Sequence, residues 1–200
     1  MSNHIERKRK KRIQRIVDAG AQVFARKGYH ATRMQDIADE LDLQKGSLYY
    51  YFDSKEALLF HIIEEELGRA LVNIEAVVML DEPPLAKIEQ GVAAHFATFH
   101  GFSNVSTIFL FEKVESINVK AGQKINAMSR RYEEYWRQLL QEGVEAGALS
   151  ANLDIKIATK AIMGMCNMSF IWFQPTGRMS IEEIATHFTQ YILRGMAAPQ

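Results

Sequence analysis

The chain has 200 residues, 48% hydrophobic and 24% charged, which suits one or two globular domains with a sizeable core. A single cysteine, Cys166, excludes a disulfide framework, and no stretch reaches the ~18 uninterrupted apolar residues of a membrane span. Formal net charge is zero, yet residues 1–55 carry 12 Lys and Arg against 7 Asp and Glu, while residues 56–200 carry 12 against 17. A basic module joined to an acidic one is therefore expected, in a reducing, cytoplasmic setting and without a signal peptide.

Residues 1–6 read as a loose tail. A helix is expected from Arg7, with Ile13, Ile16, Val17, Gly20 and Phe24 at helical spacing and Gly28 as its stop. Thr32 and Gln35 have capping-box spacing and open a second helix with a stripe at Met34, Ile37, Ala38 and Leu41. Asp42 to Gln44 make a turn, and a third helix runs from about Lys45 to Tyr51 over buried Leu48 and Phe52. Asp53 and Glu56 repeat the capping spacing ahead of a long helix starting near Ser54, apolar at Leu59, Ile63, Leu67, Leu71, Ile74 and Val78. Pro83 and Pro84 end that pattern and begin the next helix. Ile125, Met128, Tyr132, Tyr135, Leu139 and Gly143 line a further helix that stops at Gly147. Asp154 caps the following one, apolar on two faces and so expected to be buried on both. Ser180 and Glu183 cap the last, lined by Ile181, Ile184, Ala185, Phe188 and Ile192. No alternating strand pattern or internal repeat is present. The chain reads as all-α with about nine helices: a three-helix helix-turn-helix domain over residues 7–53 and a helical ligand-binding and dimerisation domain over 54–198.

The third helix has an unusual exterior. Leu48 and Phe52 can both face inward, which turns Lys45, Ser47, Tyr49, Tyr50 and Tyr51 towards solvent. Three consecutive tyrosines cannot share one buried face. Their rings offer apolar contact to a thymine methyl and their hydroxyls a bond to phosphate. Gly46 lets the backbone approach DNA, and Lys55 and Thr32 stand at helix starts where backbone N–H groups favour a phosphate. Arg33 is either a phosphate contact or a plain surface arginine. The run Arg7-Lys8-Arg9-Lys10-Lys11-Arg12 is either a sequence-independent cationic contact or a solvated tail.

The stretch GYHATRMQDIADELDLQKGSLYYYFDSKEALL resembles the N-terminal signature of the TetR family of bacterial transcriptional regulators, over roughly Ile13 to Leu59. Tyr51 stands where family members very often carry His. The resemblance implies a homodimer on a palindromic double-stranded operator, with Thr32, Lys45, Gly46, Ser47, Tyr49, Tyr50, Tyr51 and Lys55 at positions that contact DNA.

Beyond residue 80, Phe96, Phe99, Phe102, Phe109, Phe111, Tyr132, Tyr135, Trp136, Phe170, Trp172 and Phe173 form a large aromatic stock. It either fills a core or, with the flexible methionines, lines an adaptable apolar pocket. Arg130 and Arg131 either hold a phosphate or carboxylate bidentately or make a solvated face answered by Glu133 and Glu134. The pattern G-M-x-N-x-x-x-x-W-x-x-P-x-G-R-x-S from Gly164 to Ser180 resembles the branch of the family that senses acyl-CoA thioesters in fatty-acid and steroid breakdown. Met168 replaces the aromatic that usually follows the Asn. Candidate effector contacts are Phe99, Phe109, Arg130, Arg131, Tyr132, Tyr135, Asn167 and Trp172. The helix around Ile157 to Phe173 and the last helix are expected to pair with their symmetry mates, with close approach at Ala158, Ala161 and Gly164. A second reading within the family is a repressor of an efflux or stress gene that senses another hydrophobic compound.

An enzyme is not expected. The six histidines form no H-E-x-x-H, and G-x-S-x-G, P-loop and G-x-G-x-x-G are absent. His61 and Glu65 have the spacing of a minimal metal pair but read better as a solvated pair, so no metal, cofactor or catalytic residue is expected. A DNA-binding structural protein without a ligand is the third class.

Overall fold

The computed structural model describes residues 2–100, 117–174 and 176–198. Eight helices stand among them: α1 Ser2–Lys27, α2 Met34–Glu40, α3 Lys45–Tyr49, α4 Lys55–Val78, α5 Pro84–His100, α6 Val119–Glu145, α7 Ile155–Trp172 and α8 Ile181–Met196. The only pairing of extended backbone among the described residues is an isolated antiparallel bridge, Leu149 with Ala197. The chain divides into two compact units. One holds residues up to Glu65 with the segment ending at Lys124, and the other runs from Glu66 and again from Ile125. The division falls inside α4.

In the first unit, Ile16, Val17, Val23, Phe24, Ile37, Leu48, Leu58, Leu59 and Ile62 are almost fully buried. Each such side chain contributes about 1.5–3 kcal/mol of burial. α1 crosses α4 closely at Gly20, where a Cβ would stand 2.9 Å from Leu58 Cδ2. α1 begins at Ser2, five residues ahead of the expected Arg7. Residues 2–6 hold no Gly or Pro, and the Lys and Arg from Arg7 onward are good helix formers, so nothing stops the helix there. Its first turns pack against nothing: His4 to Lys11 are all exposed. Gly28 ends it with φ +79°, a conformation that a side chain would disfavour.

Two helix caps differ from expectation by one residue. Arg33, not Thr32, is the N-cap of α2, and its N–H donates to Asp36 Oδ2 at 2.8 Å. Thr32 turns inward and donates to the Gly28 carbonyl at 2.7 Å, an oxygen left over by the left-handed turn. At α4, Ser54 Oγ accepts from the Ala57 N–H at 3.0 Å, and Asp53 is left exposed. Asp42 adopts φ 53° and makes the sharp turn between α2 and α3, a role open to Asp without a glycine. α3 ends at Tyr49, so Tyr50 and Tyr51 lie in the following turn.

The second unit packs α5, α7 and α8 together, with Ile88, Val92, Phe96, Trp136, Leu139, Leu140, Ile162 and Cys166 at its centre. Lys87, 6% exposed, pairs with Glu142 at 2.6 Å and ties α5 to α6. The expected caps hold here. Asp154 accepts from the Ile157 N–H, and Ser180 and Glu183 form a reciprocal box. Gly147, φ +68°, closes α6.

Candidate nucleic-acid interface and effector unit

The interface is built on a short helix pinned from beneath. Leu48 is fully buried and Phe52 is 7% exposed, while Tyr49 is 40% and Tyr50 76% exposed. Lys45, Gly46 and Ser47 are exposed as well, and Tyr51 is half-buried. A Cβ added at Gly46 would meet nothing within 4 Å. The Lys45 ammonium stands 5.7 Å from the Tyr49 ring centre, and the Tyr50 and Tyr51 rings meet edge to face at 5.1 Å. These contacts orient an amphipathic surface of rings, hydroxyls and one cation. Arg33 is exposed at the start of α2.

Two expected residues are not brought to this surface. Thr32 is 2% exposed, with its hydroxyl committed to Gly28. Lys55 donates to the carbonyls of Tyr29, Thr32 and His30, at 2.8, 2.9 and 3.4 Å. Nearby cations are also spent on carboxylates: Arg26 on Glu40 at 2.5 Å and Lys27 on Asp36 at 2.7 Å. The Lys27 bond, with the Arg33 N–H, holds the Asp36 carboxyl below its usual range. Glu56 is lowered chiefly by its own backbone N–H, helped by Ser54 and Tyr29.

In the second unit a buried polar chain joins three helices. His95 Nδ1 lies 2.9 Å from Tyr132 Oη, and Nε2 lies 3.0 Å from Asn167 Oδ1. An amide oxygen only accepts, which assigns the ring proton to Nε2; the tyrosine then donates to Nδ1. Burial pushes the Tyr132 phenol well above its usual pKa and keeps it a donor. Phe99, 7% exposed, packs on both rings. The structure thus gathers Phe99, Tyr132 and Asn167 around a histidine that sequence reasoning had not singled out. The signal was available: His95 shares the apolar stripe of Ile88, Val92 and Phe99 on α5.

Arg130, Arg131, Tyr135 and Trp172 lie elsewhere. Arg131 Nη2 donates to Tyr135 Oη at 3.0 Å and to Glu75 at 3.3 Å, and Tyr135 donates to the same Glu75 oxygen at 2.5 Å. Tyr135 first, then Glu75, raise the Arg131 pKa further. Arg130 is exposed. Glu133 is answered by Arg137 and Lys160 rather than by either arginine. Trp172 is 51% exposed. It borders an open groove of 440 Å³ that also touches Phe173, Met179, Ile184, Phe188 and Tyr191. Phe102, Phe109 and Phe111 lie outside the described residues.

A helix-turn-helix with its third helix exposed, followed by a separate helical unit, is the architecture of a DNA-binding regulator. The chain belongs to the tetR family of bacterial regulatory proteins, whose model matches residues 16–62; a tetracyclin repressor-like C-terminal domain matches residues 81–196. Among curated relatives it is similar to the HTH-type transcriptional repressor KstR2 of Rhodococcus jostii (strain RHA1). Identity is 24%, over 92% of this chain and 90% of that protein. It is 29% identical to the fatty acid metabolism regulator protein of Bacillus subtilis (strain 168), over 80% of this chain and 81% of that one. The fold matches the crystal structure of AibR in complex with isovaleryl coenzyme A and operator DNA, TM-score 0.79 at 23% identity, covering 90% and 97% of the two chains. The matched families and relatives are transcriptional regulators, not enzymes. No helix among the described residues is long and apolar enough to cross a membrane, and none of their His, Cys, Asp and Glu side chains group to hold a metal.

Proposed function

We propose that the protein is a homodimeric repressor that leaves a palindromic operator when a small apolar effector binds, with an acyl-CoA thioester of lipid catabolism as the effector class. The observation that carries the reading is the outward Tyr49, Tyr50 and Lys45 over buried Leu48. Arg33, Ser47, Gly46 and Tyr51 complete the proposed DNA contact, and the helical Arg7 to Arg12 run adds phosphate contacts. The effector class is supported by the Gly164–Ser180 pattern and by similarity to the Bacillus fatty acid regulator and the isovaleryl-CoA complex. Phe99, Tyr132 and Asn167 form the inner contact set. Arg130, rather than the Glu75-bound Arg131, is the arginine left for an anionic end.

The dimer reading rests on α7. Ile157 and Met168 are 67% and 48% exposed, Ala161 and Gly164 are open between them, and Ile171 continues the line. A Cβ on Gly164 would meet nothing, which leaves room for a second helix at close range. Two-fold pairing would set the two α3 copies ~34–36 Å apart or at a multiple of that spacing. Effector binding would act by favouring a conformer with another spacing; ~10⁴-fold preference moves an equilibrium from 1:99 to 99:1.

The test is a duplex selected by the protein from a random-sequence pool, then titrated with isovaleryl-CoA, palmitoyl-CoA and free coenzyme A. Release by an acyl-CoA and not by free coenzyme A is expected. Release only by unrelated hydrophobic drugs would favour the efflux or stress repressor. Light scattering on Met168→Glu should show monomer where the parent shows dimer.

A further inference from the structure

We infer that Asn167 is a specificity residue of the effector unit: it turns its amide N–H groups towards an acyl carbonyl of the effector, and His95 is the positioning residue that fixes this polarity. The occupant rests on the effector reading above; the polarity rests on geometry within the second unit alone.

An asparagine amide is ambiguous by itself, because one end accepts and the other donates. The chain behind it removes the choice. Tyr132 Oη stands 2.9 Å from His95 Nδ1, and His95 Nε2 stands 3.0 Å from Asn167 Oδ1. Tyr132 and His95 are buried, so neither turns to water for a missing partner. Run backwards, Asn167 would donate to Nε2 and Nδ1–H to the phenol oxygen. The Tyr132 hydrogen would then have no acceptor, since its hydroxyl makes no other hydrogen bond among the described residues. A buried hydroxyl in that state is disfavoured. Burial raises the phenol's pKa, and the buried Trp136 N–H, which makes no hydrogen bond of its own, opposes that rise by directing its positive hydrogen at the same oxygen. Run forwards, the phenol gives to Nδ1 and Nε2–H gives to Oδ1, and each bond polarises the next in one direction. Phe99 packs on both rings, 4.7 Å from the imidazole centre, and holds them in line.

The chain ends at a residue that is half-buried, where Tyr132 and His95 are not accessible. With Oδ1 committed to His95, the two amide hydrogens of Asn167 have no partner among the described residues. The group that docks there is therefore an acceptor oxygen, and an ammonium, which only donates, is refused. In an acyl thioester the carbonyl is the acceptor that adjoins the apolar tail. Half-buried Met163, one turn earlier on α7, offers that tail a soft apolar neighbour.

Calorimetric titration of the protein with isovaleryl-CoA and its thioether isopentyl-CoA, and with the palmitoyl and hexadecyl pair, tests the occupant. Each pair differs at one carbonyl, so the pantetheine amides common to both cannot explain a difference. The thioester is expected to bind ~10-fold more tightly than its thioether. Asn167→Asp keeps the shape and the acceptor for His95 but has no amide donor, and should lose or reverse the preference. His95→Leu should also lose it, whereas a merely structural role would weaken both compounds and leave their ratio unchanged. Nitrogen chemical shifts of the imidazoles in the unaltered, ligand-free protein should show the His95 proton on Nε2. A proton on Nδ1 would overturn the polarity, and a parent ratio retained by Asn167→Asp would refute the contact. A thioether that binds the parent as well as its thioester would sink the inference and leave the effector class standing. If neither compound of either pair binds, the effector class and its carbonyl fall together, and the nitrogen shifts still decide which end of Asn167 faces outward.

Discussion

Replacing Tyr132 by Phe removes one oxygen from the interior of the second unit. The parent hydroxyl donates to His95 Nδ1 at 2.9 Å, and the residues are 3% and 2% exposed. Water cannot take its place without opening the packing of Phe99 on both rings. The substitution leaves a buried acceptor without its donor, a cost of ~1–3 kcal/mol. At ~2–4 °C per kcal/mol for a chain of this size, Tm should fall by ~2–12 °C, read by circular dichroism at fixed protein concentration. The pairwise part is separable. In a cycle with His95→Leu, the two losses should fail to add by ~0.5–3 kcal/mol. A Tyr132→Phe protein that melts within a degree of its parent, with additive losses in the cycle, would refute the polar chain as a linked unit.

Three further outcomes follow from the same geometry. Tyr50→Ala should change stability by no more than ~0.5 kcal/mol, because the ring is 76% exposed, while weakening operator binding ~10-fold in a gel-shift titration. Exchanging all six basic residues from Arg7 to Arg12 for Gln should lower the salt slope of DNA binding by ~0.9 for each phosphate contact removed, and an unchanged slope would leave the run as solvated surface. Burial lifts the Cys166 thiol to about 12 from an ordinary 9.0, so iodoacetamide at pH 8 should label it only after unfolding. Between those values the unfolded chain loses a proton that the folded chain retains, so this thiol lowers stability as pH rises. Denaturant titrations at pH 8 and 10 check the sign.

The parts of the molecule that were legible in the sequence are those set by local spacing. Leu48 and Phe52 four apart, Gly28 after an apolar run, and Ser180 three before Glu183 each decide a conformation within one turn of helix. The shifted caps show the limit of that logic. Thr32 and Arg33 both precede a polar residue at the right interval, and the choice went to whichever left Thr32 free to answer the Gly28 carbonyl. Lys55 was beyond local reasoning. Its partners lie 23 to 26 residues earlier, and nothing in its neighbours announces three carbonyls within reach of its ammonium. His95 and Asn167 are likewise 72 residues apart, and only their meeting turns two ordinary helix positions into one buried site.

The fate of the basic residues changes what the sequence charge means. Residues 1–55 carry an excess of five positive charges, which suggests a uniformly attractive module. The structure sorts those charges by use. Arg26 and Lys27 are neutralised by Glu40 and Asp36, and Lys55 is turned into the loop. The cations left facing solvent are concentrated at the projecting start of α1, with Arg33 and Lys45 at the starts of α2 and α3. Under the proposed function, long-range attraction and base reading would be carried by different segments. The first is screened by salt over ~10 Å at 0.1 M, while the tyrosine surface is mostly uncharged and is not. Raising ionic strength should therefore reduce affinity for all duplexes together while preserving the ratio between the selected duplex and a scrambled one. A ratio that collapsed with salt would place the specificity in the basic run instead of α3.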